Sequence, residues 1–436
     1  MHFWPATVNT SNSINTVNSN NSNDAKLYIS GCLLLLSWLL LPFVFWLLGL
    51  FLYAFAVKKT RLDSLLVAAV SVSLSILIAS RYIGYLWNGS DDMPSYLMAY
   101  DRYDELSSML SVSLLYAKHG DALFGLYSWA VAWLTDNDIF TYYFLSVLIT
   151  YGLIWKFCKL VDGPSPLLCF LLIILFYKFF QFQWHLIRTC MAVPILLMGI
   201  WYAQKNKKYG SLIFILGGLV HFSTFVLLLP LLIFSKHLTR RWSASQLIVM
   251  FLGFVLAALA GVVAIKILGS VVNNYMVNKI LTRLVFEPNF SKIPSLLFFI
   301  VVNLIALPGY LKTNNVAYLR LFNMMSYLTL LSSVALFFIG EELHRIFLPL
   351  YLLYAPMLLF ALQYIQPKSI TGAFLFLLMG FHIAAFSYVV LINESKFFYK
   401  GDKHSHPLER RGFDYLVMFK RYWNTEVIYY DGYRNK

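Results

Sequence analysis

Three arginines, Arg81, Arg188 and Arg345, stand at the ends of apolar runs that are far apart along the chain. A charge beside a bilayer costs free energy, so each is a candidate site residue. The structural alternative is an arginine that extends its charged end to the membrane surface. A guanidinium group binds phosphate oxygens bidentately and keeps its charge. Together the three would suit an anionic group carried by a lipid.

Groups that transfer protons or form hydrogen bonds accompany these arginines. They are Asp91, Asp92 and Tyr96 after Arg81, His185 before Arg188, and Glu341 and His344 before Arg345. A carboxylate at the bilayer edge can accept a proton from an attacking hydroxyl group. His221 interrupts another apolar run, and is either a further base candidate or a hydrogen-bonded core histidine. Asp121, before a short helix that starts at Ala122, is interpreted first as the cap of that helix, with a role in the site as the alternative.

The composition indicates the class of protein. Of the 436 residues, 60% are hydrophobic, 18% are aromatic and only 12% are charged. Apolar runs of about twenty residues, the length of a helical span, recur along most of the chain. This pattern predicts an all-α, polytopic integral membrane protein and excludes a soluble enzyme and a β-barrel. The net charge of +14 lies mostly beside apolar runs, where it orients spans and indicates no nucleic-acid partner.

About ten membrane spans are predicted from these runs. They cover residues 27–53, 63–86, 139–159, 167–180, 186–202, 244–267, 294–311, 321–339, 346–364 and 370–392. The apolar run at residues 122–134 is too short to cross a membrane, so we predict an interfacial or half-buried helix there. The apolar run that ends at Lys236 has basic residues at both ends, so it forms either a re-entrant hairpin with His221 at its tip or a single span.

The domain organisation follows from the same pattern. Residues 1–26 are predicted to be a disordered, asparagine-rich tail, and residues 393–436 a polar, aromatic tail. Between them lies a membrane domain, 27–392, with external loops at 87–121 and 268–293. Basic residues after the first span place the 58–61 loop in the cytoplasm, which puts the three arginines on the outer face. The four cysteines lie in apolar runs without metal-site spacing, and no metal site is predicted.

The ordered set of motifs resembles the Wzy-type polysaccharide polymerases, especially their EpsG-like branch. The motifs are Arg81-Tyr82-Ile83-Gly84 with Asp91 or Asp92 and Tyr96, Arg188-Thr189-Cys190-Met191-Ala192, His221-Phe222-Ser223, and Arg345 at the start of a late span. The resemblance covers most of residues 27–365. The two tails have no counterpart in the pattern, and the double aspartate leaves the matching carboxylate open.

The resemblance implies a glycosyltransferase with a GT-C-like architecture in the bacterial inner membrane. Such an enzyme joins polyprenyl-pyrophosphate-linked oligosaccharide repeat units into O-antigen or capsular polysaccharide at the periplasmic face. The resemblance implies that no cofactor and no metal are needed. The partners it implies are lipid-linked glycans, membrane lipids and a chain-length regulator. The implied roles are pyrophosphate binding for Arg188 and Arg345 with support from Arg81, a general base among Asp91, Asp92 and His221, and substrate contacts from Tyr96, His185, His344 and Glu341.

Other functions stay open on the residues alone. A flippase for lipid-linked oligosaccharides also needs a cationic site, but in a cavity that opens alternately to both sides of the membrane. An O-antigen ligase uses the same donor with a different acceptor. A membrane acyltransferase is less well supported, since the chain carries no recognisable acyl-donor motif.

Overall fold

The computed structural model describes residues 17–57, 60, 62–81, 92–116, 120–161, 163–271, 290–338, 343–392 and 406–422. Within these ranges every regular element is a helix, which confirms the all-helical class for the described part of the chain. Six helical segments there are long and apolar enough to cross a membrane: Ile139–Val161, Ala244–Gly261, Phe290–Lys312, Val316–Phe337, Arg345–Tyr364 and Lys368–Ile392. The count of about ten spans and the GT-C-like architecture stay predictions.

The chain divides into two compact units, which we call the terminal unit (Met1–Met191 and Gln366–Lys436) and the central unit (Ala192–Ile365). The α-helices are α1 (Val17–Leu40), α2 (Phe43–Ala56), α3 (Asp63–Ala79), α4 (Met93–Tyr100), α5 (Met109–Leu115), α6 (Ala122–Thr135), α7 (Ile139–Val161), α8 (Pro166–Ile174), α9 (Tyr177–Phe182), α10 (Ile187–Ala203), α11 (Lys207–Val220), α12 (Phe222–Ile233), α13 (Ala244–Val271), α14 (Ile293–Lys312), α15 (Val316–Phe338), α16 (Leu343–Ala361), α17 (Lys368–Ile392) and α18 (Gly412–Tyr422). The boundary between the units falls within α10.

The predicted first span, 27–53, is wrong as a single helix. Helix α1 ends at Leu40 and α2 begins at Phe43, because Pro42 has no N–H to continue the helical hydrogen bonds and its ring crowds the preceding turn. At its other end α1 begins at Val17, inside the tail predicted to be disordered. Extending an existing helix costs little, since each added residue brings one more backbone hydrogen bond.

The predicted span 167–180 is also broken. Helix α8 ends at Ile174 and α9 begins at Tyr177, with Phe176 in an extended conformation between them. Aromatic packing explains the break: the Phe176 ring lies 5.6 Å from His382, and the Phe180 ring 4.9 Å from Phe386, both on α17. These tertiary contacts outweigh the continuous apolar pattern that predicted one helix.

Two segments predicted as a loop and a tail contain helices. Helices α4 and α5 lie inside the 87–121 segment, where the tyrosine side chains of α4 are buried. Helix α18 lies in the predicted carboxy-terminal tail and packs on α1 and α3. Its Tyr415 is fully buried, with its ring 5.5 Å from that of Phe43. Each of these helices is short and has few apolar residues. In a chain as hydrophobic as this one, such short apolar segments were not recognised as helices.

The central unit has a core of three mutually packed helices, α14, α15 and α16. Polar side chains link α14 to α15: the Asn303 amide donates to Thr329 at 3.0 Å, and the Ser326 hydroxyl donates to Asn303 at 3.1 Å. Hydrogen bonds of this kind fix one register between apolar helices that would otherwise slide. The predicted spans 294–311, 321–339 and 346–364 coincide closely with these helices.

The apolar run around His221 is broken, as the hairpin alternative predicts. Helix α11 ends at Val220, His221 is extended, and α12 begins at Phe222. The rings of Phe214 and Phe225 are 5.0 Å apart, whereas a continuous helix would separate their positions by about 16 Å. A Cβ on Gly218 would lie 2.5 Å from the Phe225 ring, so the glycine permits this close approach of α11 and α12.

Candidate functional site

The strongest candidate site lies in the terminal unit around Arg188, in the first turn of α10. The side chain is nearly buried, with the residue 9% exposed. Its Nε donates to the Tyr96 hydroxyl at 3.0 Å, Nη1 is ion-paired with Asp121, and the guanidinium lies 5.0 Å above the Tyr96 ring. Three elements that are distant in sequence therefore hold one cation.

Tyr96 connects this cation to a second carboxylate. Its hydroxyl accepts from Arg188 and donates to Asp92 Oδ2 at 3.1 Å, one helical turn earlier. Pro94, in the first turn of α4, has the fixed φ that favours helix initiation there. Tyr96 is 3% exposed, whereas Asp92 is only half-buried. The result is a chain of groups from the buried Arg188 to a more accessible carboxylate.

Asp121 is the carboxylate that sequence reasoning assigned to another role. It precedes α6 as predicted, but its side chain makes no capping hydrogen bond. Instead the 7% exposed carboxylate pairs with Arg188, because a buried cation without a compensating charge is strongly destabilising. The capping interpretation is wrong. The signal that could have revealed this role was an aspartate at the start of an apolar helix in a chain with few carboxylates.

Arg81 is anchored at the turn that precedes α10. Its Nη2 donates to the backbone oxygen of Trp184 at 2.9 Å, and its guanidinium lies 5.7 Å from the Trp184 ring. The hydroxyl of Tyr143 donates to the same oxygen. Arg188 follows Trp184 by four residues, so Arg81 contacts the short segment that leads into the helix of Arg188. That these two arginines act in one site stays a prediction.

Tyr103 also faces this region. Its side chain is buried, with its hydroxyl 2.7 Å from that of Ser113. Burial raises the pKa of the Tyr103 hydroxyl above its ordinary value, and the positive charge of Arg188 opposes that rise. The hydroxyl is therefore protonated at neutral pH. Tyr100, one turn after Tyr96, contacts Thr135 and the Tyr142 ring.

The remaining predicted residues are elsewhere or outside the described ranges. His185 is half-buried in the turn before α10, with its ring 6.1 Å from that of Phe182. His221 and Arg345 belong to the central unit, where Arg345 lies half-buried in the first turn of α16. Asp91, Glu341 and the side chain of His344 lie outside the described residues. Convergence of all three arginines therefore stays a prediction.

The surroundings of His221 are those of a buried, hydrogen-bonded histidine, and its role as a base stays a prediction. His221 is buried at the break between α11 and α12, where its Nδ1 lies 2.7 Å from the Thr224 hydroxyl and both ring nitrogens lie 3.4 Å from Ser223 Oγ. It thus has the hydrogen-bonded surroundings of a core histidine. Its place at a non-helical tip is one where a histidine can still contact a ligand.

Another buried arginine, Arg320, was not predicted. The predicted span began at Leu321, which left Arg320 outside it, yet α15 begins at Val316 and contains Arg320. An arginine directly adjoining an apolar run was the available signal. Among the described residues, no group of three or more His, Cys, Asp or Glu side chains is arranged to hold a metal ion.

Comparison with known proteins identifies one family. The EpsG family profile matches residues 69–400, which include most of both units. The matched range also includes the residues that we call the Arg188 cluster: Arg81, Asp92, Tyr96, Asp121 and Arg188. No curated protein matches the chain, and no solved structure does. Because the match extends over well more than half of the sequence, the chain belongs to the EpsG family.

Proposed function

We propose that this protein polymerises polyprenyl-pyrophosphate-linked oligosaccharide repeat units at the periplasmic face of the bacterial inner membrane. Membership of the EpsG family indicates a membrane-bound, polysaccharide-polymerase-like function. The lipid-pyrophosphate donor, O-antigen or capsule as product, and the face of the membrane are our proposal. The observation that carries it is the buried, oriented guanidinium of Arg188.

Some N–H donors of Arg188 make no hydrogen bond with the described residues. A guanidinium has five N–H donors, of which Nε and one on Nη1 contact Tyr96 and Asp121. The other three make no hydrogen bond with the described residues. A phosphate group could accept from them in the bidentate geometry that arginine favours. Because Tyr96 and Asp121 already fix the side chain, little conformational entropy would be lost on binding.

The reaction in this proposal is a single displacement that conserves charge. A hydroxyl oxygen of the acceptor glycan forms a bond to the anomeric carbon of the donor glycan. The bond between that carbon and the pyrophosphate oxygen breaks, and its electron pair leaves with the polyprenyl pyrophosphate. The hydroxyl proton passes to a general base. Arg188 stabilises the negative charge that develops on the leaving group, and Arg81 supports it.

Asp92 is the base that the geometry of the terminal unit favours. Its carboxylate is joined to Arg188 through the Tyr96 hydroxyl, and it is less buried than Asp121. A substrate hydroxyl can therefore approach it, whereas Asp121 is occupied in holding Arg188. Asp91 and His221 stay alternative bases, and Arg345, His185, His344 and Glu341 stay proposed substrate contacts.

The test is an in vitro assay with the full chain, purified and placed in lipid bilayers with lipid-linked repeat units. We expect longer glycans on the lipid. Transport of the repeat unit across the bilayer without elongation would instead support a flippase. Transfer only to a lipid A core acceptor would support a ligase. Either result would overturn the proposal.

Substitution of the base sharpens this test. Asp92→Asn should lower the elongation rate by about a hundredfold or more, the contribution expected of a general base. Asp101→Asn is the matched control, because Asp101 follows α4 and is exposed. Equal rates for Asp92→Asn and the wild type would remove Asp92 from the mechanism but leave the polymerase assignment intact.

A further inference from the structure

A cavity of about 410 Å³ lies within the central unit, where α12 ends and α13 begins. Its size falls within the range of about 300–1,000 Å³ that is usual for small-molecule sites. Its apolar wall includes Leu231, Phe254 and Tyr327, and its polar rim includes His237, Arg240 and Arg241. Apolar walls beneath a basic rim suit an amphipathic anion.

The rim is held rigidly by the core below it. The buried amide of Asn323 donates to the backbone oxygens of both Leu238 and Arg240 at 2.7 Å. The Tyr310 hydroxyl donates to Asn323 at 3.0 Å, and Arg241 donates to the backbone oxygen of Thr313. A loop with so many anchors to a helical core keeps its shape without a ligand. The rim is therefore preorganised.

Two groups at the cavity have unused hydrogen-bonding capacity. The Arg240 side chain is exposed and makes no hydrogen bond or ion pair with the described residues. The Tyr327 hydroxyl likewise makes no hydrogen bond with them, although Tyr327 is buried and packs on Phe254 with rings 5.0 Å apart. No aspartate or glutamate is among the described residues that line the cavity, so none of them compensates the charge of its basic rim.

The position of the cavity indicates a lipid as its occupant. It adjoins the start of α13, whose segment Ala244–Gly261 is apolar enough to span a membrane and presents Ile248 and Val249 to the surroundings. A cavity at the end of such a helix lies at the level of lipid headgroups. Basic pockets between spans at this level bind anionic headgroups.

We propose that this cavity binds an anionic glycerophospholipid. The acyl chain lies along Leu231 and Phe254, the headgroup phosphate binds Arg240 with His237 and Arg241 beside it, and the Tyr327 hydroxyl donates to an ester oxygen. The site is separate from the Arg188 cluster and does not depend on the proposed polymerase activity. Its occupant is a structural lipid of the membrane.

The experiment is native mass spectrometry of the purified full chain after exchange into mixed phosphatidylglycerol and phosphatidylcholine. We expect one phosphatidylglycerol to be retained in preference to phosphatidylcholine. Arg240→Gln should weaken its retention about tenfold, the effect of losing one charged hydrogen bond. Lys236→Gln is the matched control, because Lys236 is exposed on the same loop but does not line the cavity. The retention of phosphatidylglycerol by Lys236→Gln should be unchanged.

A second variant tests the apolar part of the cavity. Met250→Trp should fill space beside Phe254 and displace the lipid with the basic rim intact, whereas Leu252→Trp, at an exposed position outside the cavity, should not. Equal retention of both phospholipids, or equal loss in Lys236→Gln and Arg240→Gln, would overturn the proposal. Displacement by polyprenyl pyrophosphate at stoichiometric concentration would also overturn it, since the cavity would then belong to the donor.

Discussion

Arg188 in the terminal unit and Arg320 in the central unit are both buried, and their charges are compensated differently. Arg188 has a carboxylate partner, Asp121, and a hydroxyl partner, Tyr96. Arg320, 5% exposed, donates from Nη1 to the backbone oxygen of Trp201 at 3.1 Å, and its guanidinium lies 4.0 Å from that ring. No carboxylate of the described residues pairs with Arg320, and its Nε makes no hydrogen bond there.

This difference distinguishes two roles that a buried arginine can have. An ion pair with a second polar partner fixes the direction of the guanidinium, which suits a group that must receive a ligand. A guanidinium stacked on an aromatic ring gains about 2 kcal/mol when it is desolvated, and it mainly joins two helices. In our proposal the chemistry therefore belongs to Arg188, and Arg320 has a packing role between α10 and α15.

Removal of Arg188 should have the largest effect. Arg188→Met leaves the Asp121 carboxylate buried without its partner, which should lower the free energy of unfolding by about 3–5 kcal/mol. Elongation should fall by about a hundredfold or more, as when one donor to a developing negative charge is lost. Thermal unfolding and the elongation rate measure the two effects.

The double variant Arg188→Met with Asp121→Leu separates stability from chemistry. Replacing both members of a buried ion pair by apolar residues is often neutral for stability. We expect the double variant to recover the thermal stability of the wild type and to remain inactive. Recovery of both stability and activity would mean that Arg188 is only structural.

A smaller effect is expected from the hydroxyl that bridges Arg188 and Asp92. Tyr96→Phe keeps the ring beneath the guanidinium but removes two hydrogen bonds, so unfolding should become easier by about 1–2 kcal/mol. Elongation should fall about tenfold, because Asp92 loses its link to Arg188. Tyr100→Phe, a buried tyrosine of the same helix, is the control: it should lose similar stability and keep full activity.

The smallest effect is expected in the central unit. Arg320→Met gives up the stacking on Trp201 but also removes a buried charge that has an unsatisfied Nε, so stability should change by no more than about 1 kcal/mol. Elongation should be unchanged. A loss as large as that of Arg188→Met would show that the two arginines are used alike and would remove the distinction between the units.

The sequence predicted most of the helices. In the site it predicted Arg188 but not the pairing of Arg188 with Asp121. Regular apolar runs and flanking charges were sufficient for α7, α14 and α17, and the charge beside a span singled out Arg188. The partner Asp121 was not predicted, because it lies 67 residues away and its pairing depends on how α6 packs near α10. The break between α8 and α9 was missed for the same reason, since it depends on contacts with α17.

The most direct test of the central claim is the affinity of the purified protein for polyprenyl pyrophosphate in lipid nanodiscs. The comparison is between the wild type and the stable double variant Arg188→Met with Asp121→Leu. We predict that the double variant binds at least about tenfold more weakly, because a bidentate, charged contact is lost. Equal affinity in the two proteins would contradict the assignment of Arg188 to the donor pyrophosphate.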